Sequence, residues 1–330
     1  MTHHLEAEAA QLLVRERLRR AAPDAAPAEL DRAARWLVEA ELLGLPDFGI
    51  GMLRRDLERL APVTAATPDA ADEVSAEPSA LTAATVDATG RPGILALARA
   101  TRAAAERARA HGSAIVGIRA AGALGVLGLA GRELAEQGLV ALLAAQAPPI
   151  VAPWGGTAAV VGTNPLAIAV PRDGGPPLVV DYATAPATMA TLRRHREHGA
   201  PLADGLGIDA EGTPTTDASR LAALVPPTLL GSLTGLVVEL LAGVATGGRG
   251  AADGTRGALL IAVDAAAIGG MDVAAGTARL AEEWRAAGGH LPARFDALPS
   301  RTALLAGRVA VDGSTAAWLE ADADAPGGAR

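Results

Sequence analysis

Four charged residues in the sequence could carry acid, base or anion-binding chemistry. They are Asp47, Arg54, Asp181 and Glu239. A positioned carboxyl group can move a proton to or from a reacting atom, and a guanidinium can hold a carboxylate or a phosphate. Glu239 interrupts the apolar stretch VVELLAGV, where a buried carboxylate has to be paired or functional. We take these four residues as the catalytic candidates.

The stretch AAGALGVLGLAG at 120–131 could approach a phosphate through its backbone. It lies between an apolar run and a helical pattern, and glycines in such a turn let the chain come close to a pyrophosphate at the helix N-terminus. Gly122, Gly125, Gly128 and Gly131 are spaced three apart, so they never form the G-x-G pair that makes the tight first turn. The pattern alone therefore disfavours a phosphate cradle.

Other residue types limit the chemistry further. The chain has no cysteine, which excludes disulfides, thiolate catalysis and sulfur-bound metals. His195 and His198 have the one-turn spacing of metal ligands, but the arginines of RRHR at 193–196 would repel a cation. We expect an exposed, solvated helix face there and no metal. The DFG at 47–49 lacks the companion motifs of a kinase and is interpreted as chance.

Composition indicates a globular chain of 330 residues, half of them apolar, with room for more than one domain. The formal net charge of −8 argues against a nucleic-acid partner, because binding phosphates needs clustered cations. The N-terminal segment is charged throughout, and no stretch has the length and flanks of a membrane span. We expect a cytoplasmic protein with no membrane partner.

Hydrophobic periodicity predicts helices at both ends of the chain. Residues 4–43 follow a helical pattern with a break at APDAAPAEL, and VAAGTARLAEEWRAAGG predicts a later helix. PGILALARATRAAAERARAHG predicts an amphipathic helix that ends at Gly112, and LLGSLTGLVVELLAGVATGG predicts a buried helix closed by glycines. The Pro- and Ala-rich segment 62–80 is interpreted as a connection with one short strand.

Apolar runs with β-branched residues predict strands in the middle of the chain. These runs are AIVGIR, AAVVGTNPLAIAVP and PLVVDYA, separated by Pro and Gly turns, and GALLIAVDAAAIGG predicts a later strand and turn. Helices followed by a mixed sheet, and then by helices and strands again, predict an α/β protein whose two ends pack together.

Four stretches resemble one enzyme family. They are IVAPWGGTAAVVGTNPLAIAVP at 150–171, VVDYATA at 179–185, DAEGTPTTDASRL at 209–221 and VVELLAGV at 237–244. In order and spacing they are similar to the malate/L-lactate dehydrogenases of the non-Rossmann type, which include ureidoglycolate and sulfolactate dehydrogenases and piperideine-carboxylate reductases. The resemblance extends over roughly residues 5–325.

This resemblance implies a homodimer with a malate/L-lactate dehydrogenase-like, non-Rossmann α/β fold. On that basis the chain divides into a central sheet domain, residues 81–244, which binds the cofactor in the family, and a helical domain formed by both chain ends, residues 1–80 with 245–330. The implied reaction is hydride transfer between a nicotinamide cofactor and a carbon next to a carboxylate. Such chemistry needs an acid or base and a cation for the carboxylate.

The first catalytic motif of the family, Ser-His-Gly followed by Arg, is altered in GLPDFGIGMLRRDLERL. Asp47 stands in place of the Ser, Phe48 in place of the His and Met52 in place of the Arg. Phe cannot exchange a proton and Met carries no charge, so neither role survives by chemical similarity. Arg54 or Arg55 could reach into the cleft as a substitute, although an exposed helix position is the simpler expectation for either.

The second motif, Asn-Ser-x-His, falls on the glycine-rich stretch. Ala120, Ala121 and Ala123 replace its three polar residues. Of the family's Thr-Asn pair one amide is kept, by Gln146. Two lysines of the family are replaced by Thr191 and Leu230. The comparison therefore predicts a cleft that has lost its cations and is more apolar.

Several family residues are retained, and each has a structural alternative. GTNP at 162–165 can be a tight turn held by its own side chains, and Asp181 can cap the helix that follows it. If a nicotinamide cofactor binds, the expected contacts are Asp181, Ala183 and Thr184. The candidates for lining the cleft are Phe48, Met52, Ala120, Ala121, Ala123, Gln146, Trp154, Thr163, Asn164, Thr184 and Leu230.

The combined loss of proton donors, carboxylate cation and lysines predicts a changed function. The leading expectation is a non-redox small-molecule enzyme of biosynthesis, such as a cyclase, isomerase or lyase, that acts on an apolar substrate without a cofactor. One alternative is an NAD(P)-dependent oxidoreductase of 2-oxo or 2-hydroxy acids or cyclic imines, with replaced acid/base groups. The other is a non-catalytic homodimeric pseudoenzyme or scaffold.

Overall fold

The computed structural model describes residues 2–64, 74–75, 81–249, 255–270 and 272–321, with the backbone only at 61–64 and 74–75. Helices in these residues are α1 (Ala7–Ala21), α2 (Pro27–Leu42), α3 (Ile50–Thr64), α4 (Gly93–His111), α5 (Leu127–Ala135), α6 (Met189–His198), α7 (Leu229–Val238), α8 (Val273–Ala286) and α9 (Gly313–Glu320). Single 3₁₀ turns cover Pro46–Phe48, Ala265–Ile268 and Arg294–Ala297, and α7 continues as a π-helical turn over Glu239–Val244.

The strands form one large sheet and two small ribbons. They are β1 (Thr2–Glu6), β2 (Val74–Ser75), β3 (Ala83–Asp87), β4 (Ser113–Ala121), β5 (Val140–Ala145), β6 (Pro165–Val170), β7 (Leu178–Ala183), β8 (Gly207–Ile208), β9 (Ala223–Leu224), β10 (Arg256–Val263) and β11 (Arg308–Asp312). The sheet runs in the order β2-β3-β4-β10-β5-β6-β7. Because β3 pairs parallel to β4 while the other neighbours are antiparallel, the predicted mixed α/β sheet is confirmed.

Strand β10 lies at the centre of this sheet, between β4 and β5. It comes from the part of the chain that the sequence assigned to the terminal domain, residues 245–330. Both edges of β10 are hydrogen-bonded to strands of the central domain, so the prediction that places this strand with the chain ends is wrong. The rest of the two-domain division stays a prediction.

Helices α4 and α5 pack against the sheet and supply much of the core. The predicted helix ending at Gly112 is α4, which stops where Gly112 adopts a φ of 83° in the left-handed region. Its first half, from Gly93 to Thr101, is buried on every side, so α4 is amphipathic only in its second half. This helix fixes the start of the glycine-rich stretch, which follows β4.

The two chain ends pack together as predicted. The antiparallel pair β1 and β11 joins them, and α1, α2 and α9 form a helical layer around this ribbon. Helix α1 buries Ala7, Ala10, Val14 and Leu18, which recur at helical spacing. The predicted pair of N-terminal helices is α1 and α2, whereas the strand β1 before them was not predicted.

The helix predicted to be buried, α7 with its π-helical turn, is half exposed. Val238 and Ala242 pack against the sheet, but the opposite face leaves an apolar stripe in solvent. The exposed stripe consists of Leu229, Leu230, Leu233, Leu236, Val237, Leu240 and Val244. The expectation of a buried helix is therefore wrong for this chain alone, because one packing face accounts for only part of its apolar surface.

Two further expectations can be compared only with the described residues. The connection predicted over 62–80 lies outside them, apart from the end of α3 and strand β2. Among the described helices, none has the length and apolarity needed to cross a membrane.

Candidate active site

A cleft of about 630 Å³ opens between the loop that enters α3, the glycine-rich stretch and the N-terminal half of α6. Its volume falls within the range of small-molecule and cofactor sites. Hydrophobic residues of these segments, among them Phe48, Met52 and Ala123, form one part of its wall. The ends of β5, β7 and β10 and the turn at 294–295 complete it. Both altered family motifs thus meet in one place.

The wall of this cleft is strongly basic. Its acidic and basic residues are Asp47, Arg55, Asp56, Arg59, Asp181, Arg193, Arg194, Arg256 and Arg294. Six arginines against three aspartates leave a formal excess of three positive charges. The expectation of a cleft without cations is wrong, because arginines enter from positions outside the family motifs, although apolar residues still line much of the wall.

One group of these residues is centred on Asp47, and we call Asp47, Arg55, Arg193 and Arg194 the Asp47 cluster. The Asp47 carboxylate pairs with Arg193 and, at 3.4 Å from its Nε, with Arg194. Arg55 Nη2 donates to the Asp47 carbonyl at 2.9 Å, and burial together with nearby Arg193 lowers the pKa of Arg55. Two arginines therefore share the Asp47 carboxylate while Arg55 binds the carbonyl, and the cluster stays positive although Glu197 lies 3.8 Å from Arg193.

The basic run RRHR contributes to the site through the start of α6. Thr188 caps this helix by accepting a hydrogen bond from the Thr191 amide at 3.0 Å. Arg193 and Arg194 lie on the helix face that lines the cleft, but Arg194 keeps 62% of its side chain in solvent, so the expected solvated face is wrong only for the half-buried Arg193. No three His, Asp or Glu side chains in the described part of the chain lie together as a metal site.

A second group lies where α3 meets the glycine-rich stretch, and we call Asp56, Arg59 and Arg256 the Asp56 cluster. The buried Asp56 carboxylate accepts from the Gly93 amide at 3.0 Å and from the Ala123 amide at 3.3 Å. It also accepts from Arg59 at 3.2 Å. Asp56 thereby ties α3 to the start of α4 and to the loop after β4.

Asp181 lies on the cleft wall at the N-terminus of α5. Its Oδ2 accepts from the Gly128 amide at 2.7 Å. Burial raises the pKa of Asp181 to about 6, although this hydrogen bond and the charge of Arg294 oppose the shift. A Cβ on Gly128 would come within 2.8 Å of Asp181 Oδ2, so glycine is required for this approach.

This hydrogen bond answers two sequence questions. The helix that follows Asp181 is capped by Thr188, so Asp181 caps α5 and not its own successor. The glycine-rich stretch does place a helix N-terminus at the cleft, but a carboxylate already occupies the Gly128 amide that a phosphate would need. The stretch therefore binds the Asp181 carboxylate, in agreement with the prediction that disfavours a phosphate cradle.

Two catalytic candidates lie away from the cleft. Arg54 projects to the outer side of α3, where it pairs with Glu58 at 2.9 Å and donates to Ser314 Oγ at 2.9 Å. Glu239 is buried and accepts from Gln146 Nε2 at 3.0 Å.

Glu239 also accepts from Asn164 Nδ2 at 2.9 Å and pairs with Arg249. The carboxylate on the apolar helix is therefore paired, and it braces Gln146 from behind the wall.

The remaining candidates divide between wall, support and surface. On the wall lie Phe48, Met52, Ala123, Gln146, Thr163 and Ala183. Behind it lie Ala120, Ala121, Asn164 and Thr184, of which Thr184 donates to the Asn164 carbonyl at 3.0 Å. Asn164 holds a left-handed φ of 33°, and its side chain accepts from the Ala147 amide at 3.0 Å and donates to the Gly235 carbonyl at 3.0 Å. GTNP is therefore an irregular segment tied to distant parts of the chain, and the expected turn held by its own side chains is wrong. Trp154 and Leu230 are exposed outside the cleft.

The sequence reasoning missed Asp56, Arg59, Arg256 and Arg294, and it placed Arg55 on the surface. A signal existed for two of them. Arg55 and Arg59 are one turn apart on α3, and both share a face with Met52, which the resemblance had already placed in the cleft. No local signal marks Arg256, because only strand pairing brings it beside β4.

Comparison with known proteins gives this cleft a context. The family model described as malate/L-lactate dehydrogenase matches residues 5–295. A (2R)-3-sulfolactate dehydrogenase (NADP(+)) of Chromohalobacter salexigens is 35% identical over 66% of the chain and 66% of its own length. A Δ1-pyrroline-2-carboxylate/Δ1-piperideine-2-carboxylate reductase of Pseudomonas aeruginosa is 38% identical over 48% of the chain and 52% of its own length. The matched segments thus span about half to two thirds of these relatives.

Solved structures show the same fold over nearly the whole chain. The Δ1-piperideine-2-carboxylate reductase of Pseudomonas syringae superposes with a TM-score of 0.76 and 28% identity, covering 88% of this chain and 91% of that one. The malate dehydrogenase of Entamoeba histolytica, at 17% identity, reaches a TM-score of 0.78 over 97% of both chains and shows the fold alone.

These relatives overturn the leading functional expectation. Proteins 35% to 38% identical to the chain are named as dehydrogenases and reductases, and none of these names describes a cyclase, isomerase or lyase. The physical ground for that expectation also fails, because the charges thought to be lost are supplied by other residues of the cleft. The comparisons favour the redox alternative.

Proposed function

Because the chain belongs to the malate/L-lactate dehydrogenase family, we propose that it is an NAD(P)H-dependent oxidoreductase with replaced acid/base and anion-binding residues. Its substrate class would be 2-oxo or 2-hydroxy acids, or cyclic imines that carry a 2-carboxylate. The observation that carries this proposal is the basic cleft with the high-pKa carboxyl of Asp181 on its wall. Both substrate and cofactor of such an enzyme are anions.

The residues present suit a nicotinamide dinucleotide. Its two phosphates require cations or free amides, and the Asp47 cluster offers three guanidinium groups, two on the Asp47 carboxylate and one on its carbonyl. Ala183 on the wall adds a small surface beside Asp181, whereas Thr184 is bound to backbone carbonyls behind it. When bound, the cofactor would supply or accept the hydride. Arg193 and Arg194 would hold its phosphates, and Asp181 and Ala183 would contact it from the cleft wall.

Asp181 is the proposed acid/base group. In the reducing direction its carboxyl gives a proton to the substrate oxygen or nitrogen as the adjacent carbon receives the hydride. The remaining carboxylate is stabilised by the Gly128 amide and by Arg294, and solvent returns the proton. In the oxidising direction the same carboxylate takes the proton from the hydroxyl or amine. A pKa near 6 suits both tasks at neutral pH.

A steady-state assay tests this function. NADPH and NADH oxidation would be followed by nicotinamide absorbance with pyruvate, Δ1-pyrroline-2-carboxylate and Δ1-piperideine-2-carboxylate, and the reverse reaction with lactate, malate and sulfolactate. We expect the native protein to turn over at least one of these acids and Asp181→Asn to lose that turnover. A protein that turns over none of the six with either cofactor would contradict the proposal.

The exposed stripe on α7 supports the implied homodimer. Seven leucines and valines recur there at helical spacing with 45% to 75% of their surface in solvent. A contiguous apolar patch of this kind marks an interaction surface, and self-association would bury it.

Light scattering should show a dimer for the native chain and a monomer for L233E/L240E. The matched control L12E/L280E alters two exposed leucines elsewhere and should stay dimeric. A monomeric native chain would refute the dimer. The cytoplasmic location and the absence of a nucleic-acid partner stay predictions.

A further inference from the structure

Among the cleft arginines, Arg256 alone has a buried nitrogen without a partner in the part of the chain that the structure describes. Its Nε is shielded from solvent and makes no hydrogen bond with any described residue. The guanidinium also forms no ion pair among the described residues, in contrast to Arg59, Arg193 and Arg194. Shielding part of a guanidinium from water without a partner is costly, since the group stays charged at any ordinary pH. Such a group calls for an anionic partner that arrives from outside.

The fold aims Arg256 at the cleft through an irregularity in the sheet. Arg256 pairs with Ala121 and Ala258 pairs with Ile118, so one residue of β10 lies opposite two residues of β4. This β-bulge contains Ala120, whose φ of 56° is left-handed and strained for alanine. A bulge re-aims the side chain beside it, and here that side chain is Arg256.

Gly257 makes this bend possible. A Cβ at Gly257 would overlap the Ala242 carbonyl and Thr246 Oγ1, so no other residue fits beneath the turn. The Gly257 carbonyl accepts from the Gln146 amide at 3.0 Å, which anchors the first residues of β10 to the end of β5. Arg256 is thus held from both sides by paired strands, as a ligand-binding residue should be.

The nearby charges cannot satisfy Arg256. Asp56 attracts it, but the Asp56 carboxylate is already bound by two backbone amides and Arg59. Burial lowers the pKa of Arg256, which measures the cost of holding the charge there, and Arg59 adds repulsion. Two guanidiniums therefore face one saturated carboxylate.

Position decides which anion fits. Arg256 adjoins Ala121 and the glycine-rich stretch, and Met52 contacts the same stretch near Gly125. The resemblance places the carboxylate cation of the family at Met52. We infer that Arg256, assisted by Arg59, is the carboxylate-binding residue for the substrate and takes over that role from another element of the fold. This inference rests on the proposed function for the identity of the substrate, but not for the binding of a carboxylate.

Calorimetry on the full chain tests it with three probes, pyrrole-2-carboxylate, pyruvate and oxalate, and with neutral pyrrole-2-carboxamide. We expect the native protein to bind at least one carboxylate and not the amide. Arg256→Met should weaken that binding by about 30-fold or more, the loss typical of a charged hydrogen bond. Arg256→Lys should lie between the two, because lysine keeps the charge but not the planar fork.

Controls separate folding, cofactor and substrate effects. Arg119→Met removes an exposed arginine of β4 that pairs with Asp87, and it should bind every probe as the native chain does. Arg256→Met should melt at a higher temperature than the native protein, because an unpaired buried charge is removed. NADPH binding, followed by fluorescence, should be unchanged in Arg256→Met.

Three results would overturn the inference: native carboxylate binding in Arg256→Met, a loss confined to NADPH, or no binding of any of the three carboxylates by the native chain. Failure of the proposed function would look different. In that case NADPH would not bind the native protein, while carboxylate binding would still depend on Arg256.

Discussion

The two loops that carry the family's motifs and the elements around them differ sharply in chemistry. At 46–49 and 120–126 the loops contribute mainly backbone and apolar side chains to the cleft, such as Phe48 and Ala123, with Asp47 as their charged side chain. The flanking α3, α6, β10 and the 294–295 turn contribute all six arginines. The positive charge of this cleft therefore comes from the elements around the two loops and not from the loops themselves.

This difference teaches how a motif comparison can mislead. It detects the removal of a side chain at an aligned position but not its replacement from another element. A cation acts through the position of its charge and not through its place in the chain. The predictions below test whether the flanking elements now carry the chemistry and the loops only the geometry.

The largest effect is expected at Asp181, the carboxyl group on the cleft wall that accepts from the Gly128 amide. Asp181→Asn removes the proposed proton donor and should lower kcat/KM by about 10²- to 10⁴-fold. In the reducing direction the native kcat/KM should fall as pH rises through about 6, since the acid must be protonated, and the variant should lose this limb. Steady-state assays from about pH 5 to about pH 9 measure both the loss of kcat/KM and its pH dependence.

Asp204→Asn, an exposed aspartate outside the cleft, is the control and should keep the native profile. An Asp181→Asn enzyme with the native rate and pH profile would place the proton donor elsewhere.

The next effect concerns the two arginines of the Asp47 cluster that lie on α6. Arg193→Met with Arg194→Met should weaken NADPH binding by about 10- to 100-fold, because two phosphate-binding charges are lost. Titration at rising salt should show a smaller salt dependence in the variant than in the native chain. The control Arg19→Met with Arg20→Met removes the same charge from exposed α1 positions paired with Glu16. Equal affinities in both double variants would exclude the cluster from cofactor binding.

Beneath the first loop, Glu41 should make stability depend on pH. Its carboxylate accepts from the Ile50 amide at 2.8 Å, and burial raises its pKa from 4.5 to about 7. The pKa of Glu41 is higher in the folded than in the unfolded state. The stability that protonated Glu41 contributes is therefore complete below pH 4.5 and is lost as the pH rises through about 7.

Glu41→Gln should therefore raise the free energy of unfolding by about 2 kcal/mol at about pH 8 and hardly change it at about pH 4. Urea unfolding at the two pH values measures the difference. An equal effect at both would show that Glu41 is not buried in its charged form.

The smallest effect concerns the strain in the second loop. Ala120→Gly relieves the left-handed φ of 56° and should raise the free energy of unfolding by about 0.5–1 kcal/mol. Ala83→Gly in the exposed part of β3 should lower it, since no strain is relieved there. If both substitutions destabilise equally in urea, Ala120 carries no strain.

Much of the fold followed from local patterns. Periodicity located α1, α2, α4 and α8, and β-branched runs located β4, β7 and β10. The position of β10 inside the sheet did not follow, because strand order depends on pairing between distant segments. The exposure of α7 did not follow either, since an apolar helix reads the same whether it packs inside one chain or between two.

The site divides in the same way. Asp181, Phe48, Met52, Ala123, Gln146 and Thr163 were found from the resemblance and lie on the cleft wall. Arg54 was preferred to Arg55, although α3 turns Arg55 inward and Arg54 toward Ser314. Helical phase could have separated them, but the identity of the facing segment was needed to know which phase is inward. Arg256 required the bulge at Ala120, which no sequence pattern marks.

The most direct test is titration of the purified chain with NADPH and NADH, followed by nicotinamide fluorescence at low and moderate salt. A basic cleft that serves a dehydrogenase predicts saturable binding of at least one cofactor, with a Kd between about 1 μM and 1 mM that rises with salt. Absence of saturable binding of both cofactors at low salt would contradict a redox function for this cleft.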